Sequence, residues 1–199
     1  MLTSQLEDNN WNLYVDPTAN FVDPSNPAAT PMTLYRASKL LANNATWEFR
    51  ETEKPHYSLV TIHPAFVFGV NLVQNSAEEV QAGSNGILWG SVMGGVPLGG
   101  ITGVHIQDVA EAHVKALDSK IKDGSKYLLS GPQTTWKDVA RLALKAYPNI
   151  GAKITEEVEG ISSMPTDTTK AEVELGIQWR SWEDMVRSVM DQQLSFLQG

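Results

Sequence analysis

Tyr57-Ser58-Leu59-Val60-Thr61-Ile62-His63 decides the fold of this 199-residue chain. The run is short, mostly apolar and β-branched, and Pro64 closes it. A strand buried on both faces carries such a run, whereas a half-exposed strand alternates. The run therefore predicts a buried parallel strand. Just upstream, Leu34, Ser38, Leu41, Ala45 and Phe49 line one side of a helical pattern. They predict a helix from Met32 to Glu51, ended by Pro55. A helix feeding a buried strand is the repeating unit of an α/β sheet. Lys126-Tyr127-Leu128-Leu129 predicts a second strand before Gly131-Pro132. Two firm strands are too few for a covered parallel sheet, so the expected sheet is incomplete.

Outward from this centre, residues 8–34 are rich in Asn, Asp and Pro and read as a surface excursion. Gly83 to Gly103 is glycine-rich, with a short helix expected over Ile87–Met93 and a turn with a short strand over Gly99–Ile106. Asp108 is placed to cap a helix carrying Val109, Ala112, His113, Ala116 and Leu117. Thr135-Trp136-Lys137-Asp138 has the form of a capping box with Asp in place of Glu. Ser181-Trp182-Glu183-Asp184 starts the last helix, whose apolar face is Met185, Val186, Val189, Met190, Leu194 and Leu197.

Composition excludes several classes. There is no cysteine, so disulfides and zinc–thiolate sites are ruled out. The four histidines lack metal-ligand spacing, and no metal is expected. A net charge of -8 argues against nucleic acid and anionic membranes as partners. No apolar run is long enough to span a bilayer, and the first residues carry no secretory pattern. A cytoplasmic location is expected.

The chemistry sits in Tyr35-Arg36-Ala37-Ser38-Lys39. Residues four apart share a helix face. An ammonium beside a phenol favours the phenolate, which suits the phenol to act as general acid toward a carbonyl oxygen. The other reading is an exposed tyrosine beside a solvated lysine. Context favours the first, because the strand closing at Pro64 puts His63-Pro64-Ala65-Phe66-Val67-Phe68-Gly69 where open α/β sheets collect ligands. That stretch is expected to be a loop. Phe66, Phe68, Trp89, Met93 and Leu98 are candidates to line a substrate pocket, with core packing as the alternative for each.

These stretches occur in order with Val104-His105-Ile106-Gln107-Asp108-Val109-Ala110-Glu111-Ala112-His113 and Tyr127-Leu128-Leu129-Ser130-Gly131-Pro132. Asp167-Thr168-Thr169-Lys170-Ala171, Glu174-Leu175-Gly176 and Trp179 follow. Together they resemble the C-terminal part of an extended short-chain dehydrogenase/reductase. The nearest branch is that of dihydroflavonol reductases, cinnamoyl-CoA reductases and fungal ketoreductases or methylglyoxal reductases. The resemblance runs from about Trp11 to the end.

It implies an α/β fold: an incomplete Rossmann-type doubly wound sheet, late strands only, with a mostly helical C-terminal substrate lobe. The chain is expected to form a single truncated unit over 1–199. Residues 1–65 and 100–130 would be the residual Rossmann portion, and 66–99 and 131–199 the substrate-binding lobe. By the same resemblance Tyr35 protonates the substrate oxygen, and Lys39 binds the nicotinamide ribose and assists Tyr35. Pro64, Ala65, Phe66 and Val67 line the nicotinamide, and Phe68, Trp89 and Met93 the substrate. Ser4, in Leu2-Thr3-Ser4, is the candidate for the family's carbonyl-binding serine, although Gln5 departs from the pattern. NADP(H) is the implied cofactor and a small molecule the implied substrate.

The family's Gly-x-x-Gly-x-x-Gly turn, which seats the pyrophosphate on a helix N-terminus, has no counterpart in these residues. The chain alone is therefore not expected to hold the dinucleotide firmly, and its open sheet implies self-association or a covering partner. Three readings stand. One is an NAD(P)H-dependent carbonyl reductase. Another is a cofactor-independent isomerase, dehydratase or cyclase with Tyr35 as proton donor. The last is a non-catalytic remnant.

Overall fold

The computed structural model describes residues 16, 18, 30–81 and 83–197. Ser4 lies outside them, as does most of the expected excursion over 8–34. The chain divides into two compact units, residues 10–59 and a second that contains 60–199.

The first unit holds α1 (Thr30–Glu53). The helix runs about two residues beyond the expected bounds at each end. It stops one residue before Lys54, which takes a left-handed φ of 45° while its N–H still reaches the Arg50 carbonyl at 3.2 Å. Pro55 follows at once and cannot continue the ladder.

Among the described residues, the second unit contains four short strands, two more than the firm expectation. β1 (Thr61–Pro64) pairs in parallel with β4 (Lys126–Leu129), and β2 (Phe66–Phe68) pairs in parallel with β3 (Gly103–His105). The parallel β1–β4 pair is what two late strands of a doubly wound sheet would give. β2 corrects the loop expected over Pro64–Gly69. The chain stays extended through Ala65 but changes partner there: Ala65 N–H donates to the Leu129 carbonyl at 2.9 Å, Phe66 N–H to the Thr102 carbonyl at 3.2 Å. Pro64 costs the ladder one donor without ending the extended backbone.

Alternation along β2 and β3 sorts side chains between two cores. Phe68 enters one, with Leu88, Val92, Trp136, Val139, Val186 and Val189. Val104 enters the other, with Val109, Ala112, Tyr127, Leu129 and Leu175, and Val67 packs against it. α2 (Ser84–Gly94), α4 (Trp136–Ala146) and α6 (Trp182–Leu197) serve the first core. α3 (Ile106–Lys115) and α5 (Thr169–Leu175) serve the second. Trp136, Val139, Ala140 and Ala143 form the buried stripe of α4 at helical spacing.

The caps are partly as expected. Thr135 and Asp138 form the capping box, with Thr135 Oγ1 accepting from the Asp138 N–H and Asp138 Oδ2 accepting from the Thr135 N–H, both at 3.2 Å. Ser181 Oγ accepts the Asp184 N–H at 3.0 Å. Asp108 is not the cap of α3. His105 is, its Nδ1 accepting the Gln107 N–H at 3.1 Å, and Asp108 stands three residues further on, fully buried. Its carboxylate is held by Arg180 instead.

Candidate active site

Tyr35 and Lys39 lie one turn apart on α1, and the Lys39 ammonium stands 5.4 Å from the centre of the Tyr35 ring. The helical spacing of the sequence produces this contact directly. Both side chains are exposed. Lys39 makes no ion pair with an acid among the described residues, so its three donors remain available for ligand oxygens. An ammonium and a phenol side by side suit the vicinal hydroxyls of a ribose and a carbonyl oxygen. The donor set therefore fits the nicotinamide-ribose end of a dinucleotide.

A phosphate cradle is harder to find. Gly83, at φ 95°, leads into α2 in the manner of a glycine turn before a helix. The side chains that follow are already committed. Ser84 Oγ donates to the Val67 carbonyl, and Asn85 is spent on Gly69. No described residues supply the pyrophosphate site.

The second unit carries the remaining described candidates. Pro64 is exposed, Ala65 half-buried, and Phe66 37% exposed. Gly69, just past β2, needs to be glycine. Its φ is 134°, and a Cβ there would sit 2.6 Å from Ile106 Cγ2. Two carboxamides fix the chain beyond it. Asn85 Nδ2 donates to the Gly69 carbonyl at 2.7 Å, and the Gly69 N–H returns to Asn85 Oδ1 at 3.2 Å. Gln192, on α6, does the same to Asn71: its Nε2 reaches the Asn71 carbonyl and the Asn71 N–H reaches its Oε1, both at 2.8 Å. Each side chain imitates a neighbouring strand.

These clamps border an open cavity of about 640 Å³, with Val67, Gly69, Val70, Leu72, Asn85 and Gln107 in its wall. Phe68 also borders it, but its ring is fully buried in the first core, packed so close that a Cβ on Gly103 would lie 2.5 Å from it. Trp89 and Met93 line a separate recess of about 600 Å³ with Val80, Ile87 and Leu98. The three expected substrate residues thus divide between two depressions. Asn85, Gln107 and Gln192 were not singled out by sequence. Nothing local in Gly83-Ser84-Asn85-Gly86 marks Asn85 as a backbone clamp, and nothing in a lone glutamine does so for Gln192.

His63, on β1, is half-buried, with Nε2 2.9 Å from Thr61 Oγ1. Burial, reinforced by the nearby Lys126 charge, pushes its pKa down to about 4. His105 is also lowered, chiefly by burial.

Known proteins now bear on this arrangement. No family model matches the chain. A ketoreductase of Aspergillus fumigatus is 54% identical over 193 residues, an alignment covering 96% of this chain and 58% of that protein. The crystal structure of Gre2 from Candida albicans superposes with a TM-score of 0.73 at 25% identity, over 96% of this chain and 58% of that one. Over 96% of its length the chain is thus similar to reductases. Its two parallel strand pairs and their helices match part of the Rossmann-type fold of that structure. A second Gre2 structure, in complex with NADPH, matches at 26% identity with a TM-score of 0.66, covering 83% of this chain and 52% of that one. The chain spans rather more than half the length of the relatives it matches, over their C-terminal portion.

Proposed function

We propose that the chain takes part in NADPH-dependent reduction of a carbonyl group on a small molecule. The 54% identity to a ketoreductase carries this reading, and it favours reduction over the non-redox alternatives. The Tyr35–Lys39 pair supports it chemically. In this reading Tyr35 delivers its hydroxyl proton to the carbonyl oxygen as that oxygen gains charge. Lys39 hydrogen-bonds the ribose hydroxyls and holds positive charge beside the phenol, stabilising the phenolate left behind. NADPH, when bound, supplies the hydride. Pro64, Ala65, Phe66 and Val67 would meet the nicotinamide and Ser4 the carbonyl oxygen, while Phe68, buried in the first core, and Trp89 and Met93, in the separate recess, are left out of the substrate contact. Among the described residues no helix is long and apolar enough to cross a membrane, and the proposed setting is the cytoplasm.

Titration of the purified 199-residue chain with NADPH, followed by nicotinamide fluorescence, tests the reading. Weak but saturable binding, through the Tyr35–Lys39 end alone, is expected. No detectable binding at millimolar cofactor would overturn the assignment for this chain on its own.

A further inference from the structure

The cavity beside β2 has a chemical character of its own. Among the described residues, its wall contains no charged side chain. Apolar groups dominate it, and several are strongly exposed: Val70 at 43%, Leu72 at 93% and Val73 at 79%. Exposed aliphatic side chains gathered around a concavity gain free energy when a ligand covers them. At about 640 Å³ the cavity lies within the range that takes a small organic molecule.

Its polar groups are nearly all committed. Ser84 Oγ is bonded to Val67, and Asn85 uses both ends of its amide on Gly69. Asn71 Oδ1 accepts the Val73 N–H at 3.1 Å, which leaves only its Nδ2 without a hydrogen bond to a described residue. Gln107 differs. Its N–H is taken by His105, but its exposed carboxamide makes no hydrogen bond with any described residue. It is held on the first turn of a rigid helix and can donate or accept.

We propose that this cavity binds an uncharged, largely apolar small molecule with a hydrogen-bonding oxygen, and that the Gln107 carboxamide recognises that oxygen. The site selects against carboxylates, because an anion here would lose hydration and meet no cation. Under the reductase reading, on which this step rests, the substrate is an uncharged carbonyl compound rather than a keto acid, and the oxygen that Gln107 holds is one other than the reacting carbonyl.

The test uses a matched pair, benzylacetone and its para-carboxylate, titrated calorimetrically into the 199-residue chain without nicotinamide. Benzylacetone is expected to bind more tightly by about tenfold or more. Gln107→Leu should weaken benzylacetone by about fivefold, the value of one neutral hydrogen bond. Gln107→Lys should raise affinity for the carboxylate and narrow or invert the preference. Melting curves that match the parent establish that both variants fold. Equal or tighter binding of the carboxylate by the parent overturns the proposal, as does failure of both ligands to bind. Unchanged affinities in both variants overturn the role of Gln107. The outcome is separable from that of the NADPH titration: a chain that binds benzylacetone but no NADPH keeps this site and loses the reductase assignment.

Discussion

Asp108 grips Arg180 twice. One carboxylate oxygen takes the guanidinium Nη1, and the other accepts the Arg180 backbone N–H at 3.1 Å. Asp108 is fully buried, while the arginine side chain retains 35% exposure. The pair ties the first turn of α3 to the chain entering α6, so the helix beside the cavity is anchored from within. Removing one partner strands the other. Arg180→Met leaves a buried carboxylate with only a backbone donor and is expected to cost about 3–5 kcal/mol, toward the lower figure because the arginine is partly hydrated. Urea unfolding measures it. A loss below about 1 kcal/mol would show that water replaces the guanidinium.

Asp108 also shows where sequence reading stops. An aspartate ahead of a helical stripe reads as a cap, since only local pattern is visible. Here the cap falls to His105, because a partner 72 residues away claims the carboxylate. Elements set by periodicity were legible in part: α1 as a helix, the capped start of α4, the face of α6 from Met185 to Met190, the strand ending at Leu129 and the Tyr35–Lys39 contact. Leu197 of the expected α6 face is 59% exposed while Gln193 is buried, and of the expected buried strand over 57–63 only Thr61 onward is strand, half-buried, with Tyr57 51% exposed. Elements set by pairing were not legible. Phe66–Phe68 became a strand because Thr102 and the residues after it lie alongside, which no local composition announces. The clamps on Gly69 and Asn71 are long-range in the same way. The division of Phe68, Trp89 and Met93 between two depressions depends on packing that three apolar letters cannot encode.

Asn85 should matter out of proportion to its size. Asn85→Ala removes both hydrogen bonds to Gly69 and is expected to destabilise the chain by about 1–3 kcal/mol. The melting temperature should fall by about 2–4 °C per kcal/mol. Asn85→Asp is more diagnostic. It keeps the acceptor for the Gly69 N–H but sets a carboxylate against the Gly69 carbonyl. Protonation restores a donor, so part of the lost stability should return as pH falls through the carboxylate range. If the aspartate variant shows the parent's pH dependence, the two-way clamp is not what holds this loop.

His63 makes stability fall with acid. Its folded pKa is about 4, against an ordinary value near 6.5. Between those values the unfolded chain binds a proton that the folded chain refuses. Stability from this group is therefore complete above pH 6.5, declines as pH falls toward 4, and levels off below. The slope is at most about 1.4 kcal/mol per pH unit for one proton. His105, lowered in the same direction, adds to it. His63→Gln should flatten the slope between pH 4 and 6.5 relative to the parent in urea unfolding across that range. Superimposable profiles would mean the imidazole is solvated in the folded chain.

Tyr35 and Lys39 should separate kinetically if the proposed reduction holds. The phenol acts only as the carbonyl oxygen gains charge, so Tyr35→Phe removes an interaction made in the transition state. Turnover should drop by about 10²–10⁴-fold, with NADPH affinity within about twofold of the parent. The ammonium instead touches the cofactor in the ground state and the phenolate later. Lys39→Met should therefore weaken NADPH binding and also slow turnover. The 5.4 Å between ammonium and ring adds a further constraint: the two groups act as a unit, so the double variant should lose far less than the product of the single losses. Multiplicative losses would show that lysine serves the cofactor alone. A Tyr35→Phe variant as active as the parent would remove the tyrosine from the chemistry altogether.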